Sequence, residues 1–210
     1  MTGEPLDRLR ESLSTVFVDQ LGRLYHAATA ESCNLLDYYG FHPKWAASVG
    51  PRVESIAGSS AATLAIGGRP CPNVTRFYSD SLARVNPLRR WTVPFAFVHG
   101  DLNGANIMID GNRNVWLIDF FHTHRGHVLR DLIKLESDIL YIMTPLSSPA
   151  DLETALRLSD HLLGVRDLAE PLPPADGLGL GSGPVGRAWE TIRILRGFHA
   201  PLLLGETDAQ

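Results

Sequence analysis

His99, Asp101, Asn106 and Asp119 lie in the stretch "FVHGDLNGANIMIDGNRNVWLIDF", Phe97 to Phe120, whose other residues read mostly as strand or turn. Asp101 follows an apolar run and precedes Asn106 by five residues; Asp119 closes a further apolar run thirteen residues beyond Asn106. A loop, a hairpin and two strand ends can bring these oxygen-bearing side chains to one spot. A carboxylate at Asp101 can orient or deprotonate a hydroxyl. Asn106 and Asp119 offer hard oxygen ligands of the kind Mg2+ prefers. Phosphoryl transfer wants such a set: one residue to align the nucleophile, and metal ions to neutralise charge on the phosphates.

The surrounding elements can be read from periodicity and turn chemistry. "FAFVHG", "NIMID" and "VWLIDF" are short apolar runs, and "DGNRN" between the last two supplies an Asp-Gly turn. Residues 106–110 and 115–119 are therefore expected to form a hairpin, with Asp110 solvated in its turn. Leu6, Leu9, Leu13, Val16, Phe17, Leu21 and Leu24 recur at helical spacing, predicting one or two amphipathic helices to about Tyr38. A short helix is expected between Pro43 and Pro51, a loop over "AGSSAATLAIGGRPCPN" and a helix over "VTRFYSDSLARV". Helical spacing resumes from about His127 to Met143. Ser148-Pro149-Ala150-Asp151 is a helix start, with Ser148 as cap, Pro149 in the first turn and Asp151 in the capping-box position, and Gly164 is the stop. A Pro/Gly-rich loop then leads to a last helix over about Arg187 to Phe198. No linker divides the chain. The expectation is one domain, 1–210, of α/β class and mostly helical: a helical lead-in over 1–96, the reactive loops over 97–120 and a helical remainder over 121–210.

"HGDLNGANIMID" followed by "WLIDF" resembles the catalytic and metal-binding loops of the aminoglycoside phosphotransferase and choline kinase branch of the protein-kinase-like fold. "GDLNGANIMID", "LIDFFHT" and "RDLIKLE" are also similar to kinase-like modules of bacterial conflict systems, the ternary complex associated domains. The resemblance covers about Phe97 to Leu140. It implies the large lobe of a kinase-like phosphotransferase that uses Mg2+ and ATP and phosphorylates a hydroxyl on a small molecule or a protein. Asp101 would be the catalytic base, with Asn106 and Asp119 as Mg2+ ligands. His99 would brace the loop structurally, and Asp131 in "RDLIKL" would anchor it.

The same resemblance implies a small lobe that grips the nucleotide through a strand-borne Lys. Lys44 is the one Lys before His99, and it lies in a Pro- and Gly-bounded stretch. The small lobe is therefore expected to be absent, with a partner chain as one possible supplier. "GSGPVG", Gly181 to Gly186, matches a phosphate-binding Gly pattern but follows a Pro-rich loop and not a strand, so a flexible loop is expected there. Two readings compete: a catalytically inactive kinase-like scaffold, and a metallohydrolase built on His122, His124 and His127 with His99 and Asp101.

The net charge of −4 gives no general basic surface for nucleic acid or acidic lipid, and no apolar run is long enough to span a bilayer. No basic region followed by an apolar core marks a secretory signal. Cys33 and Cys71 lack metal-type spacing and are expected to be free thiols in a reducing cytoplasm.

Overall fold

The stripe Leu9, Leu13, Val16, Phe17 and Leu21 is buried against the core. It is carried by α1 (Leu6–Ser14), a π-helical turn over Thr15–Gln20 and α2 (Gly22–Tyr25). The computed structural model describes residues 4–85 and 89–204. The ends of the expected range 1–210, and with them the start of the segment read for a secretory signal, lie outside the described residues. Helix was expected to run to Tyr38, but Thr29–Cys33 forms strand β1. "TAESC" has no large apolar residue to hold a helix on a core, and its exposure alternates as a strand's does.

The chain divides into two compact units, residues 1–30 with 94–210 and residues 31–93. The smaller unit begins with α3 (Leu35–Tyr38), capped by Asn34, whose Oδ1 accepts from Leu36 N at 3.0 Å. A 3-10 turn over Pro43–Trp45 and α4 (Ala46–Ala57) follow. Strands β2 (Thr63–Ile66) and β3 (Arg69–Pro72) pair antiparallel where a loop was expected. Gly67 and Gly68 both have positive φ, 56° and 77°, which is what a two-residue hairpin turn demands. Asn73 ties this hairpin to the next helix: its Nδ2 donates to Ala61 O at 2.8 Å and its Oδ1 accepts from Thr75 N at 2.9 Å. α5 (Val74–Arg76) passes through a π-helical turn over Phe77–Ser81 into α6 (Leu82–Arg84), in the segment expected to be helical. Lys44 lies in this unit, its Nζ 5.0 Å from the centre of the Trp45 ring. Cys33 and Cys71 are both free.

The larger unit resumes along β4 (Trp91–Val98). The expected hairpin forms as β5 (Ile107–Ile109) and β6 (Val115–Leu117), in register Ile107↔Leu117 and Ile109↔Val115. Asp110 holds its turn, accepting from Asn112 N and Asn114 N at 2.9 Å each. Helical spacing was expected from about His127, but His124–His127 forms β7 and pairs antiparallel with β4, His124 opposite Val98 and His127 opposite Phe95. The three-stranded sheet has the order β1-β4-β7. α7 (Arg130–Tyr141) follows, then α8 (Pro149–Leu163), capped as expected: Ser148 Oγ accepts from Asp151 N at 3.1 Å, and Asp151 Oδ2 from Ser147 N at 2.9 Å. α9 (Pro184–Arg196) starts earlier than expected. The end of "GSGPVG" is its first turn, and Gly186 is required by contact, since a Cβ there would lie 2.0 Å from Gly181 O. α10 (His199–Leu204) ends the described chain. Arg196 of α9 grips Glu136 of α7 through two bonds of 2.8 and 2.7 Å. The class is α/β and mostly helical. No helix among the described residues is long and apolar enough to cross a membrane.

Candidate active site

The site is built outward from Asp131, a fully buried carboxylate in the first turn of α7. An isolated carboxylate costs several kcal/mol to bury, so its oxygens must be filled. Oδ2 accepts from His99 N and from the Tyr25 hydroxyl, and Oδ1 accepts from Gly100 N, all at 2.8 Å. Burial, with the Asp131 charge beside it, pushes the Tyr25 phenol well above its ordinary pKa and keeps it a donor. Arg130 Nε donates to Gly100 O at 3.0 Å. The chain leaving β4 is thus held at both amides and one carbonyl. Gly100 has φ +89°, and a Cβ on it would lie 2.1 Å from His122 O. Only glycine fits there.

His99 is fully buried. Its Nε2 lies 2.8 Å from Ile118 O, and since a carbonyl oxygen only accepts, Nε2 carries the donated proton. Nδ1 has no partner. The imidazole also packs on Phe120, with ring centroids 4.6 Å apart. Ile118 is held from its other side by Asn106 O, which accepts its N–H at 3.1 Å. The bonds at Ile118 and the ring packing at Phe120 flank Asp119, whose backbone is left-handed at φ 62° and ψ 57°, a conformation Asp tolerates better than most residues. The Asp119 side chain is exposed.

Asp101 and Asn106 share one loop. Asn106 Nδ2 donates to Asp101 O at 2.9 Å, so the amide plane is fixed, and no protein group among the described residues donates to Asn106 Oδ1. Asn103 Oδ1 caps the short turn between them through Ala105 N at 2.9 Å. Asp101 Oδ1 lies 3.0 Å from Lys134 Nζ, and the Lys134 ammonium holds the Asp101 carboxyl below the usual carboxylate range. Gly104 N donates to Asp138 Oδ2 at 2.7 Å. A cavity of about 500 Å3 is lined by Ile139, Met143, Thr144, Pro184, Arg187 and Thr191, among others, and Asp101, Asn106, Asp119 and Lys134 are not in its lining. A Cβ on Gly104 would come 2.7 Å from Met143 Sδ.

Asp131, Lys134 and Asp138 thus contact His99–Gly100, Asp101 and Gly104 in turn from a single helix. Sequence reasoning singled out Asp131 alone. The signal that would have found the other two is their spacing, three and seven residues after Asp131 on one helical face. Tyr25 had no local signal.

The histidines of the competing reading go elsewhere. His124 Nδ1 lies 2.8 Å from His122 O, and His127 is buried beside Phe95 with its pKa lowered by burial to about 4. Among the described residues no group of three or more His, Cys, Asp or Glu side chains could hold a metal ion. Asn106 Oδ1 and the Asp119 carboxylate are a different donor set: two hard oxygens, neither with a protein donor among the described residues. That set suits Mg2+, which takes few protein ligands and fills its remaining positions with phosphate and water oxygens.

Comparison with curated proteins finds no match, and comparison with solved structures finds none. Residues 59–208 match the family described as ternary complex associated domain 9. The match spans more than half of the sequence, and the chain belongs to the ternary complex associated domain 9 family.

Proposed function

We propose that this chain is the large lobe of a kinase-like phosphotransferase. The observation that carries the reading is the Asp101–Asn106 loop: Asn106 Nδ2 binds Asp101 O, and Asn106 O holds the amide one residue before Asp119. One backbone network thereby sets the separation of a hydroxyl-facing carboxylate from two hard oxygen donors. Asp101 orients the acceptor hydroxyl and takes its proton. The acceptor oxygen bonds to the γ-phosphorus of ATP as the bond from that phosphorus to the β–γ bridging oxygen breaks, and ADP leaves. Asn106 and Asp119 would hold Mg2+, which would supply positive charge against the phosphates. Lys134, 3.0 Å from Asp101 Oδ1, holds that carboxylate in place. The acceptor is a hydroxyl-bearing small molecule or protein.

In this reading a partner chain supplies the other half of the nucleotide grip, and the words "ternary complex" in the family's description support partner chains. The test is titration of the chain with Mg·ATP, alone and with candidate partners. Asp119→Asn is the control, because Asn keeps the left-handed backbone and removes the charge. The expected result is weak binding by the chain alone, lost in Asp119→Asn, and partner-stimulated transfer that depends on Asp101. Binding indifferent to Asp119 would overturn the assignment.

A second reading, a binding module without turnover, has one observation in its favour. Met108, Trp116, Ile118, Phe120 and Phe121 expose large apolar side chains on and just after the β5–β6 hairpin. Partner binding that persists unchanged in an Asp101→Asn variant, with no transfer in wild type, would select it.

A further inference from the structure

We infer that Lys134 is a ligand of the terminal phosphate: its ammonium, held on Asp101 Oδ1, also takes an oxygen of the γ-phosphate of a bound nucleoside triphosphate. The inference rests on the phosphotransferase reading and adds a residue to it.

Electrostatics raise the need. A carboxylate at Asp101 and a γ-phosphate must approach across one acceptor oxygen, and two like charges at that distance repel. Mg2+ at Asn106 and Asp119 answers charge on the side of the nucleotide it binds. Nothing in that set answers it beside Asp101. Lys134 is the group in that place, 3.0 Å from Asp101 Oδ1.

Its state suits the task. An ammonium has three N–H donors. One meets Asp101, no other protein acceptor engages it among the described residues, and 45% of the side chain is open to solvent. An ion pair so exposed contributes little to folding, so stability gives little reason for it. Lysine is also the uncommon choice in this chain: Lys44 and Lys134 are its only lysines among nineteen basic residues. Lys44 lies in the other unit, over the Trp45 ring. The chemistry separates the two cations. A planar guanidinium beside a carboxylate tends to pair with both its oxygens at once, whereas a compact ammonium can bind one oxygen and point its other donors elsewhere. Backbone contacts on both sides fix the position of the lysine, because Asp131 and Asp138 of α7 bind the same loop at Gly100 and Gly104.

The test compares Mg·ATP with Mg·ADP, which differ by the phosphate in question, by NMR titration of the full chain at millimolar nucleotide. Wild type is expected to prefer Mg·ATP. Lys134→Met is expected to lose about tenfold in ATP affinity, the low end for one charge-assisted contact, with little change for ADP. Lys134→Arg is expected to recover part of the preference. Asn106→Ala should weaken both nucleotides. Thermal melting of Lys134→Met should match wild type. If Lys134→Met keeps the wild-type ratio of ATP to ADP affinity, or wild type shows no preference, the inference is overturned and the phosphotransferase reading stands. If wild type binds neither nucleotide, or if Asn106→Ala binds as wild type does, the phosphotransferase reading is overturned and this inference with it.

Discussion

His99 Nε2 donates to the carbonyl oxygen of Ile118 at 2.8 Å, a bond across nineteen residues that joins the end of β4 to the residue before Asp119. The ring is fully buried, so water cannot replace either partner. The position of Asp119 relative to Asp101 is therefore set by an imidazole that itself touches no substrate.

His99→Ala removes that bond, strands the Ile118 carbonyl and opens a hole beside Phe120. A loss of about 2–4 kcal/mol in unfolding free energy is expected, together with weaker Mg·nucleotide binding. Urea denaturation and nucleotide titration measure the two effects. Full stability in the variant would remove His99 from its bracing role.

Asp131→Asn replaces a pure acceptor with a group that is half donor. Three donors, Tyr25 Oη, His99 N and Gly100 N, converge on Asp131, so at least one must face an N–H. The cost is expected to be about 2–4 kcal/mol by denaturant unfolding, and Tyr25→Phe, which loses one bond, should cost about 1 kcal/mol. A change within about 0.5 kcal/mol for Asp131→Asn would contradict the anchor role.

Gly100→Ala places a methyl 2.1 Å from a backbone oxygen in a φ that alanine disfavours. The backbone has to move, at a cost on the order of 3 kcal/mol or more. Amide shifts in an NMR spectrum are expected to change most over 98–106 and 119–124. A variant that melts with wild type and leaves those shifts in place would show that the loop is not held as tightly as its bonds imply.

Acid should destabilise the fold well before the carboxylates titrate. His127 and His199 are both buried, and burial lowers the pKa of each to about 4 from 6.5. Neither ring nitrogen of His199 has a hydrogen-bond partner among the described residues. In the unfolded chain both take up a proton near pH 6.5, whereas the folded chain resists until about pH 4. The stability they support is present above pH 6.5 and is lost progressively as pH falls toward 4, by up to about 3 kcal/mol for each group. Urea unfolding across that window, with His199→Leu expected to flatten part of the slope, checks the sign and the source.

What could be read from the sequence was what local chemistry dictates. The Asp-Gly turn announced the β5–β6 hairpin, and Ser148 with Asp151 announced the start of α8, because both signals act within a few residues. Gly67-Gly68 carried the same kind of signal for β2–β3, but Pro70 and Pro72 in the second strand masked it by removing ladder donors. β7 was hidden for a different reason. "HRGH" has little intrinsic strand preference and exists as a strand through pairing with β4, some thirty residues earlier. Asp101, Asn106 and Asp119 stood out by type and spacing. Lys134 and Asp138 carried only their spacing from Asp131, and Tyr25, which meets Asp131 from a distant element, carried no local signal.

α7 holds the backbone of the reactive loop at two rungs, through Asp131 at Gly100 and Asp138 at Gly104, and is itself clasped to α9 by Glu136 and Arg196. A ladder of this kind fails collectively. Substitutions at both rungs should not add, because the first already frees part of what the second would release. Thermodynamic coupling between these positions would make α7 and its loop one mutational unit, in which tolerance at either rung depends on what stands at the other.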